Sequence, residues 1–222
     1  SQPANSIKPL KSFNANDFAM EIDPEVNVEQ KFNTVLEWTV RRDGSIVCSA
    51  GIDHNFPIKT LPRLGFVMQV PRKYERFSYY GRGPVENYSD RFTCAFVGCY
   101  ESTVSEQVTN YTTPQEMGNH EQVRWAALRA RGRRGVKFTA VQNSMRSCES
   151  GAPVMSVCAL PYSALDLTSA THTYQLPEKG DTYLCLDAAV AGLGGSSCGP
   201  APLEQDLVSG GAAFSFIIEP FR

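Results

Sequence analysis

Short runs of β-branched, aromatic and other apolar residues recur along nearly the whole chain of 222 residues, and turn-forming residues separate almost all of them. No stretch keeps apolar residues at helical spacing for the roughly 10 to 12 positions that a helix prediction requires. The clearest pattern is a pair of runs, 34–40 and 45–49, on either side of Asp43-Gly44. It predicts a β-hairpin, because glycine tolerates the positive φ of such turns. The chain is therefore predicted to be all-β.

Further runs predict more strands and a way to bury them. In residues 136–140 apolar and polar residues alternate, as in a strand with one face on a core and the other in solvent. Two packed antiparallel sheets bury such faces. We expect a single domain over residues 1–222, with 1–15 partly frayed, because all-β sandwiches of this size commonly form one unit. The further predicted strands are 64–70, 77–80, 94–100, 136–141, 154–160, 173–176, 183–186 and 213–218.

Charge and hydropathy argue against two classes of partner. The formal net charge is -2, so no basic field attracts nucleic acid or anionic lipid. No apolar run approaches the roughly 20 residues of a membrane-spanning helix, and the N-terminus lacks a signal-peptide pattern. We expect no nucleic acid and no membrane partner. Because the chain begins without methionine, we expect it to be an excised or processed segment.

The cysteines are seven in number, without CxxC pairs or clustered histidines, and this pattern disfavours zinc. Several lie in apolar strand-like runs, such as Cys158 within 154–160, where a reduced thiol acts as a small hydrophobic group. We expect no metal in this chain. Free thiols favour a cytoplasmic location, and a periplasmic one stays open because a free thiol can survive in an oxidising compartment.

The segment YGRGPVENYSDR, residues 80–91, combines a sharp turn with a dense polar set. Two glycines and a proline follow a predicted strand. Two interpretations stay open. The segment is either a structural corner, in which Arg91 clamps a carboxylate and Tyr88 caps a core, or a site of direct ligand contact. Its candidate residues are Glu86, Asn87, Tyr88, Asp90 and Arg91.

A second polar segment, residues 111–125, offers amide, carboxylate, guanidinium and indole groups within a short span. Such groups hold sugars through hydrogen bonds to hydroxyls and stacking on the apolar sugar face. The alternative is a buried polar network that links two loops, with the tryptophan in the core. Its candidate residues are Gln115, Glu116, Asn119, Arg124 and Trp125.

A third segment, residues 192–200, is rich in glycine and follows Leu186-Asp187. A nucleotide site is rejected here, because the loop has no following helix and no GK[ST] sequence.

These three segments, in this order, resemble the C-terminal domain of the large β-galactosidases of glycoside hydrolase family two, which also occurs as the small chain of heterodimeric β-galactosidases. The resemblance covers roughly residues 60–200. It rests on YGxGPxENYxDR in 80–91, PQExGN and VRW in 114–125, His172 ahead of Leu176, and SCGP in 197–200. LPRLG in 61–65 is similar to the family's lead-in to the strand before the first motif.

The resemblance implies a large two-sheet antiparallel supersandwich of the galactose mutarotase-like kind. It implies that the catalytic glutamates lie on a separate TIM barrel, with magnesium and sodium bound mainly there and no cofactor in this chain. The chain would complete the pocket for terminal β-galactosides, contact the other domains of a homo-oligomeric parent, and be inactive alone. Cys198 falls where some members place a tryptophan that supports the sugar. The chain begins after the family domain's first strands, which implies an unpaired sheet edge.

Two other functions stay open. One is a carbohydrate-binding module for galactose or lactose. The other is an aldose epimerase, in which His172 as general acid and Glu86 as base would move protons across a cleft. A structurally satisfied histidine is the alternative for each of His54, His120 and His172, because a shared fold does not transfer chemistry.

Overall fold

The computed structural model describes residues 32–54, 60–132, 134–178, 180–194 and 200–221. Strands dominate these ranges, and the one α-helix among the described residues, α1, spans Ala164–Ser169. In this part of the chain, no helix has the length and apolar character needed to cross a membrane. The strands are β1 (Phe32–Val40), β2 (Ile46–His54), β3 (Arg63–Val70), β4 (Arg76–Gly83), β5 (Phe96–Thr103), β6 (Asn119–Val123), β7 (Trp125–Arg129), β8 (Gly135–Asn143), β9 (Met155–Leu160), β10 (Thr182–Val190) and β11 (Ala212–Phe221).

The strands form two antiparallel sheets. The larger sheet has the order β1-β2-β11-β8-β7-β4-β5, and the smaller has the order β3-β10-β9-β6. Every pair of neighbouring strands runs antiparallel. The predicted all-β fold with two antiparallel sheets is therefore confirmed.

The predicted hairpin is present as β1 and β2. Val40 pairs with Ile46, and Gly44 has a φ of 84°, which a residue with a side chain rarely adopts. The Asp43 carboxylate accepts hydrogen bonds from the backbone N–H and the hydroxyl of Ser45, at 2.9 and 2.7 Å. Local turn chemistry thus fixes the register of this pair.

One predicted strand is wrong and two strands were not predicted. Residues 173–176 contain a 3-10 turn, Thr173–Gln175, and the Gln175 side chain accepts hydrogen bonds from the backbone N–H groups of Thr171 and His172. This local capping outcompetes an extended conformation. Strands β6 and β7 were not predicted: β6, NHEQV, is too polar to show an apolar alternation, and β7, WAALR, is a run of only five residues.

The main core lies between the two sheets. Phe77, Phe214 and Phe216 of the larger sheet face Val157 and Leu184 of the smaller one, and all are fully buried. Burial of each such side chain stabilises the fold by about 1.5–3 kcal/mol.

A second, smaller apolar cluster lies on the opposite face of the smaller sheet, beside α1. It contains Cys158, Leu160 and Cys185 from the strands, together with Tyr162 and Leu167. Successive side chains of a strand point to opposite faces, so β9 carries apolar residues on both sides. This explains why its sequence reads as a continuous apolar run.

Among the described strands, β1 lies at the edge of the larger sheet, and the described residues leave part of its inward face exposed. Leu36 and Trp38 pair with Ala50 and Cys48, which are buried, and residues directly opposite on neighbouring strands share a face. Leu36 and Trp38 nevertheless remain 43% and 45% exposed. The described residues of the smaller sheet therefore leave these two side chains accessible.

Candidate functional site

A crossing of the chain between the two sheets brings the polar segments together. Strand β6 belongs to the smaller sheet and β7 to the larger, with only Arg124 between them. Gln122 adopts a φ of 53°, and the crossing passes so close to Gly81 that a Cβ there would lie 2.6 Å from Cγ2 of Val123. A glycine is therefore required at the end of β4. We call the region where residues 80–91 meet residues 107–123 the polar corner.

Glu86 is the centre of the polar corner. Its Oε1 accepts hydrogen bonds from Arg91 Nη2 (2.8 Å) and from the Tyr111 hydroxyl, and its Oε2 accepts from Thr109 Oγ1 (3.1 Å) and the Gly118 N–H (2.7 Å). Burial opposes ionisation, but these hydrogen bonds and the Arg91 charge outweigh it and lower the pKa of Glu86. The carboxylate is thus ionised, and both oxygens are occupied by donors from three stretches of chain.

Arg91 also holds the neighbouring aromatic ring. Its guanidinium lies 4.8 Å from the centre of the Tyr88 ring, and Tyr88 is fully buried. Within segment 80–91, Arg91 thus clamps the Glu86 carboxylate and lies over the buried Tyr88 ring.

A second ionic group links the polar corner to the smaller sheet. The Tyr88 hydroxyl donates to Glu116 Oε1 (3.3 Å), and Arg63 Nη1 lies 3.5 Å from Glu116 Oε2. Arg63 also donates to Asp187 Oδ2 from Nη2 (2.7 Å) and Nε (3.3 Å). Burial raises the pKa of Asp187 and of Glu116, and the Arg63 charge opposes both shifts.

Arg63 and Asp187 were not among the predicted site residues. They lie 124 positions apart in the sequence and meet across β3 and β10. The only sequence signal was a charged residue within or beside an apolar run, as in YLCLDAAV.

A third group is a buried amide and carboxyl network. Asn87 Oδ1 accepts the Glu121 N–H (2.9 Å), and Asn119 Nδ2 donates to the Asn87 carbonyl (2.9 Å) and to Glu121 Oε1 (2.8 Å). Ser156 Oγ also donates to Glu121 Oε1, at 2.8 Å. Among the described atoms, Asn119 Oδ1 finds no hydrogen-bond partner. The network fixes segment 80–91 to β6 and β9.

Replacing Glu121 with glutamine is expected to stabilise the protein at neutral pH. Burial raises the pKa of Glu121 above its ordinary value of 4.5, although hydrogen bonds from Ser156 and Asn119 oppose the shift. Ionisation of Glu121 therefore destabilises the folded state. The free energy of unfolding falls as pH rises above 4.5 towards the folded-state pKa. Glutamine keeps the acceptor oxygen and removes this cost. Urea unfolding at pH 5 and pH 8 measures the effect.

The gain from Glu121→Gln should be larger at pH 8 than at pH 5. The matched control is Glu149→Gln, because Glu149 is exposed; it should change stability little at either pH. An equal loss at both pH values for Glu121→Gln would show that the carboxyl is needed for its hydrogen bonds alone.

The remaining predicted residues lie in several places. Asp90 Oδ2 accepts the Gly194 N–H at 2.6 Å, which ties segment 80–91 to the start of the glycine-rich loop. Gln115 is exposed, and no hydrogen bond to it is found within the described ranges. Cys198 and the side chain of His54 lie outside the described residues.

Trp125 faces away from the polar corner, whereas Arg124 lies at its edge, where Nη1 donates to the Gln122 carbonyl at 2.7 Å. In register, Trp125 sits between Tyr80 and Thr139 on the outer face of the larger sheet, where it is only partly buried. The Arg124 guanidinium lies 5.3 Å from the Tyr80 ring centre, and Lys137 Nζ lies 5.7 Å from that of Trp125. Of the two alternatives left open for this segment, the one with the tryptophan in the core is not observed, because β7 turns the indole outwards.

His172, which the epimerase interpretation pairs with Glu86, makes its described contacts elsewhere. His172 is exposed, its Nδ1 lies 3.0 Å from Thr171 Oγ1, and its ring stacks on Tyr174. Within the described chain, no hydrogen bond or ion pair joins His172 to Glu86.

His120 is a structurally satisfied core histidine. Its Nε2 lies 2.6 Å from Gln107 Oε1, and its ring stacks on Tyr79 at 4.2 Å. Burial lowers the pKa of His120 to about 4, so the ring is neutral near pH 7.

Comparison with known proteins gives one consistent result. A family model described as beta galactosidase small chain matches residues 4–218. The beta-galactosidase of Arthrobacter sp. (strain B7) is 35% identical over 155 residues, which is 70% of this chain and 14% of that protein. The beta-galactosidase of Streptococcus thermophilus is 30% identical over 190 residues, or 84% of this chain and 18% of that protein.

A third relative, the beta-galactosidase of Priestia megaterium (strain DSM 319 / IMG 1521), is 31% identical over 160 residues, or 72% of this chain and 14% of that protein. The chain thus spans 14–18% of the length of these three relatives. Because the family model covers nearly all of the sequence, this chain belongs to the β-galactosidase small-chain family.

Proposed function

We propose that this chain is the C-terminal accessory domain of a β-galactosidase of glycoside hydrolase family two. It supplies one wall of the sugar pocket and contacts to neighbouring domains, and the rest of the enzyme hydrolyses terminal β-galactosides. The observation that supports this most is that the alignments to these three relatives cover 70–84% of this chain but only 14–18% of each relative.

The carboxyl groups in and beside the polar corner are occupied by hydrogen bonds and ion pairs. This supports the proposal that the isolated chain is not catalytic. A retaining glycosidase needs two carboxyl groups about 5–5.5 Å apart on either side of the scissile bond. Glu86 is held by four donors, Asp187 by Arg63, and Glu121 is buried in an amide network. Each is engaged in holding loops, which suits a scaffold for a pocket completed elsewhere.

The divalent metal and sodium ions would then be bound by the rest of the enzyme. In the described ranges of this chain, no three metal-binding side chains of His, Cys, Asp or Glu come together. Galactosides and the other enzyme domains are the proposed partners.

The exposed part of the inward face of β1 is the proposed interdomain contact, and its occupant is the remaining polypeptide of the full-length enzyme. Leu36, Trp38 and Val40 are 43%, 45% and 59% exposed although they lie on the core side of the sheet. More than four fifths of each relative's length lies outside the matched region. An apolar edge of this kind gains stability when another segment covers it.

The direct experiment assays turnover of a chromogenic β-galactoside by three samples: this chain, the remainder of the parent enzyme, and the two together. We expect activity only in the mixture, or a large increase over the remainder alone. Turnover by this chain alone would overturn the proposed division of labour, and an unchanged rate on mixing would remove its role in completing the pocket.

Substitutions on β1 test the proposed contact. Trp38→Ser is expected to weaken association with the remainder at least roughly tenfold, since burial of a large aromatic side chain contributes about 1.5–3 kcal/mol or more. Val67→Ser, at a valine that is 63% exposed on β3, is the matched control and should leave association unchanged. Association is measured by titrating each variant with the remainder of the enzyme. Equal losses of affinity for the two variants would contradict the proposal that β1 forms the interdomain contact.

A galactoside-binding module is the second candidate function. One observation favours it: Trp125 lines a surface cavity of about 330 Å³ together with Cys99, Tyr100 and Phe221, and indole rings stack on sugar faces. Galactose should then change the tryptophan fluorescence of the wild-type chain but not that of a Trp125→Ala variant. No change at millimolar galactose would remove this function.

A further inference from the structure

Two cysteines face each other across neighbouring strands of the smaller sheet. Cys158 of β9 and Cys185 of β10 are directly opposite in the antiparallel register. Directly opposed residues have Cα atoms about 4.5 or 5.5 Å apart, and disulfides span Cα separations of about 4.4–6.8 Å. A covalent link between these two residues therefore requires no rearrangement of the sheet.

Both thiols are free and lie in the small apolar cluster beside α1. Cys158 and Cys185 are 2% and 7% exposed, and Cys158 Sγ donates to the Met117 carbonyl at 3.3 Å. A hydrogen bond between the two thiols and then burial raise the pKa of Cys158, while the charge of Arg63 opposes the shift. In the closed structure the Cys158 thiol is thus protonated, and both side chains are shielded from solvent.

Access to the pair depends on the small cluster and not on the main core. The cover comes from α1 and the segments around it, through Tyr162, Leu167 and Met117. A cluster of a few residues opens more readily than the global fold, because local opening costs less free energy than complete unfolding. A small oxidant can then reach one sulfur while the strands stay paired.

We propose that Cys158 and Cys185 form an oxidative modification site, at which a peroxide converts the facing thiols into a cross-strand disulfide. One thiolate attacks hydrogen peroxide, which gives a sulfenic acid and releases water after proton transfer. The second thiolate attacks the sulfenic sulfur, forms the S–S bond and releases a second water. Two thiols and one peroxide thus yield one disulfide and two waters.

The disulfide would join β9 to β10 around the connection that contains α1 and the loop with His172. A disulfide that closes this loop reduces the conformational entropy of the unfolded chain. Oxidation should therefore raise the free energy of unfolding. Cys48 provides a contrast, since it is fully buried in the larger sheet and its register partners are Trp38 and Phe216. It has no facing thiol.

The test treats the complete 222-residue chain with hydrogen peroxide at a dose that oxidises the exposed Cys94 and Cys99. The sample is then acidified, unfolded, alkylated and mapped by mass spectrometry without reduction. We expect a linked pair of peptides containing Cys158 and Cys185, released by dithiothreitol, and a Tm raised by roughly 5 °C or more.

Three variants complete the test. Cys158→Ser and Cys185→Ser should each abolish both the linked peptides and the rise in Tm, whereas Cys48→Ser should keep both. Recovery of Cys158 and Cys185 in alkylated form from the wild type, at a dose that has oxidised Cys94, would overturn the proposal. Linkage of either residue to another cysteine would overturn it equally.

Discussion

Replacing Arg63 with methionine is expected to lower the free energy of unfolding by about 3–5 kcal/mol, because the change leaves the Asp187 carboxylate buried without its charged partner. The Asp187 side chain is 1% exposed, and in this chain Arg63 supplies both of its described hydrogen bonds. Methionine fills much of the same volume, so the loss reports the charge and not a cavity. Urea unfolding followed by fluorescence measures the change.

The matched control for Arg63→Met is Arg129→Met. Arg129 makes an ion pair of similar length, 2.9 Å, but with the exposed Glu101, and exposed pairs contribute about 0–1 kcal/mol. Because burial raises the pKa of Asp187, protonation should relieve part of the loss at low pH, so Arg63→Met should cost more at pH 8 than at pH 5. Equal losses at the two arginines would contradict the view that Asp187 is a buried charge held by Arg63.

Replacing Glu86 with glutamine is expected to cost about 3 kcal/mol, since hydrogen bonds to a charged group contribute about 1.5–3 kcal/mol each. Each of the two carboxylate oxygens of Glu86 accepts hydrogen bonds from two donors. Whichever way the glutamine amide turns, its NH₂ group meets two donors and cannot bond to them. Thermal and urea unfolding measure the loss, and activity in the reconstituted enzyme should fall with it.

The pH dependence of Glu86→Gln has the opposite sign to that of Glu121→Gln. Because the pKa of Glu86 is lowered, its contribution is present above the ordinary value of 4.5 and is lost as pH falls through the folded-state pKa. The difference in free energy of unfolding between Glu86→Gln and the wild type should therefore become smaller at acidic pH. Glu106→Gln is the control, because Glu106 also accepts hydrogen bonds but at an exposed turn; its loss should be clearly smaller. A Glu86→Gln variant as stable as wild type at neutral pH would contradict the clamp.

The hairpin of β1 and β2 could be predicted because its turn is encoded locally in Asp43-Gly44. Strand β6 could not, because its buried face carries Asn119 and Glu121 instead of apolar side chains. A polar strand gives no apolar alternation, and only its partners in the folded chain satisfy its side chains. Thr173–Gln175 shows the reverse case, in which local capping outcompetes a β-prone run.

The candidate site was predictable only where its contacts are local in the sequence. Glu86 and Arg91 are five positions apart within one turn-rich segment, so their ion pair is a local feature. The partners of Glu116 are nonlocal, and nothing in the spacing of the sequence brings Arg63 and Asp187 together. The position of Trp125 could not be decided from the sequence, because a single residue, Arg124, carries the chain from one sheet to the other and turns the indole outwards.

Hydrogen exchange in the full-length enzyme, with and without a galactose-like competitive inhibitor, tests most directly whether the polar corner faces a shared sugar pocket. We expect slower exchange with inhibitor in residues 84–92, 111–119 and 190–194, and unchanged exchange in the β1–β2 turn, residues 41–45. Slower exchange confined to the rest of the enzyme, with these three loops unchanged, would contradict the role proposed for this chain.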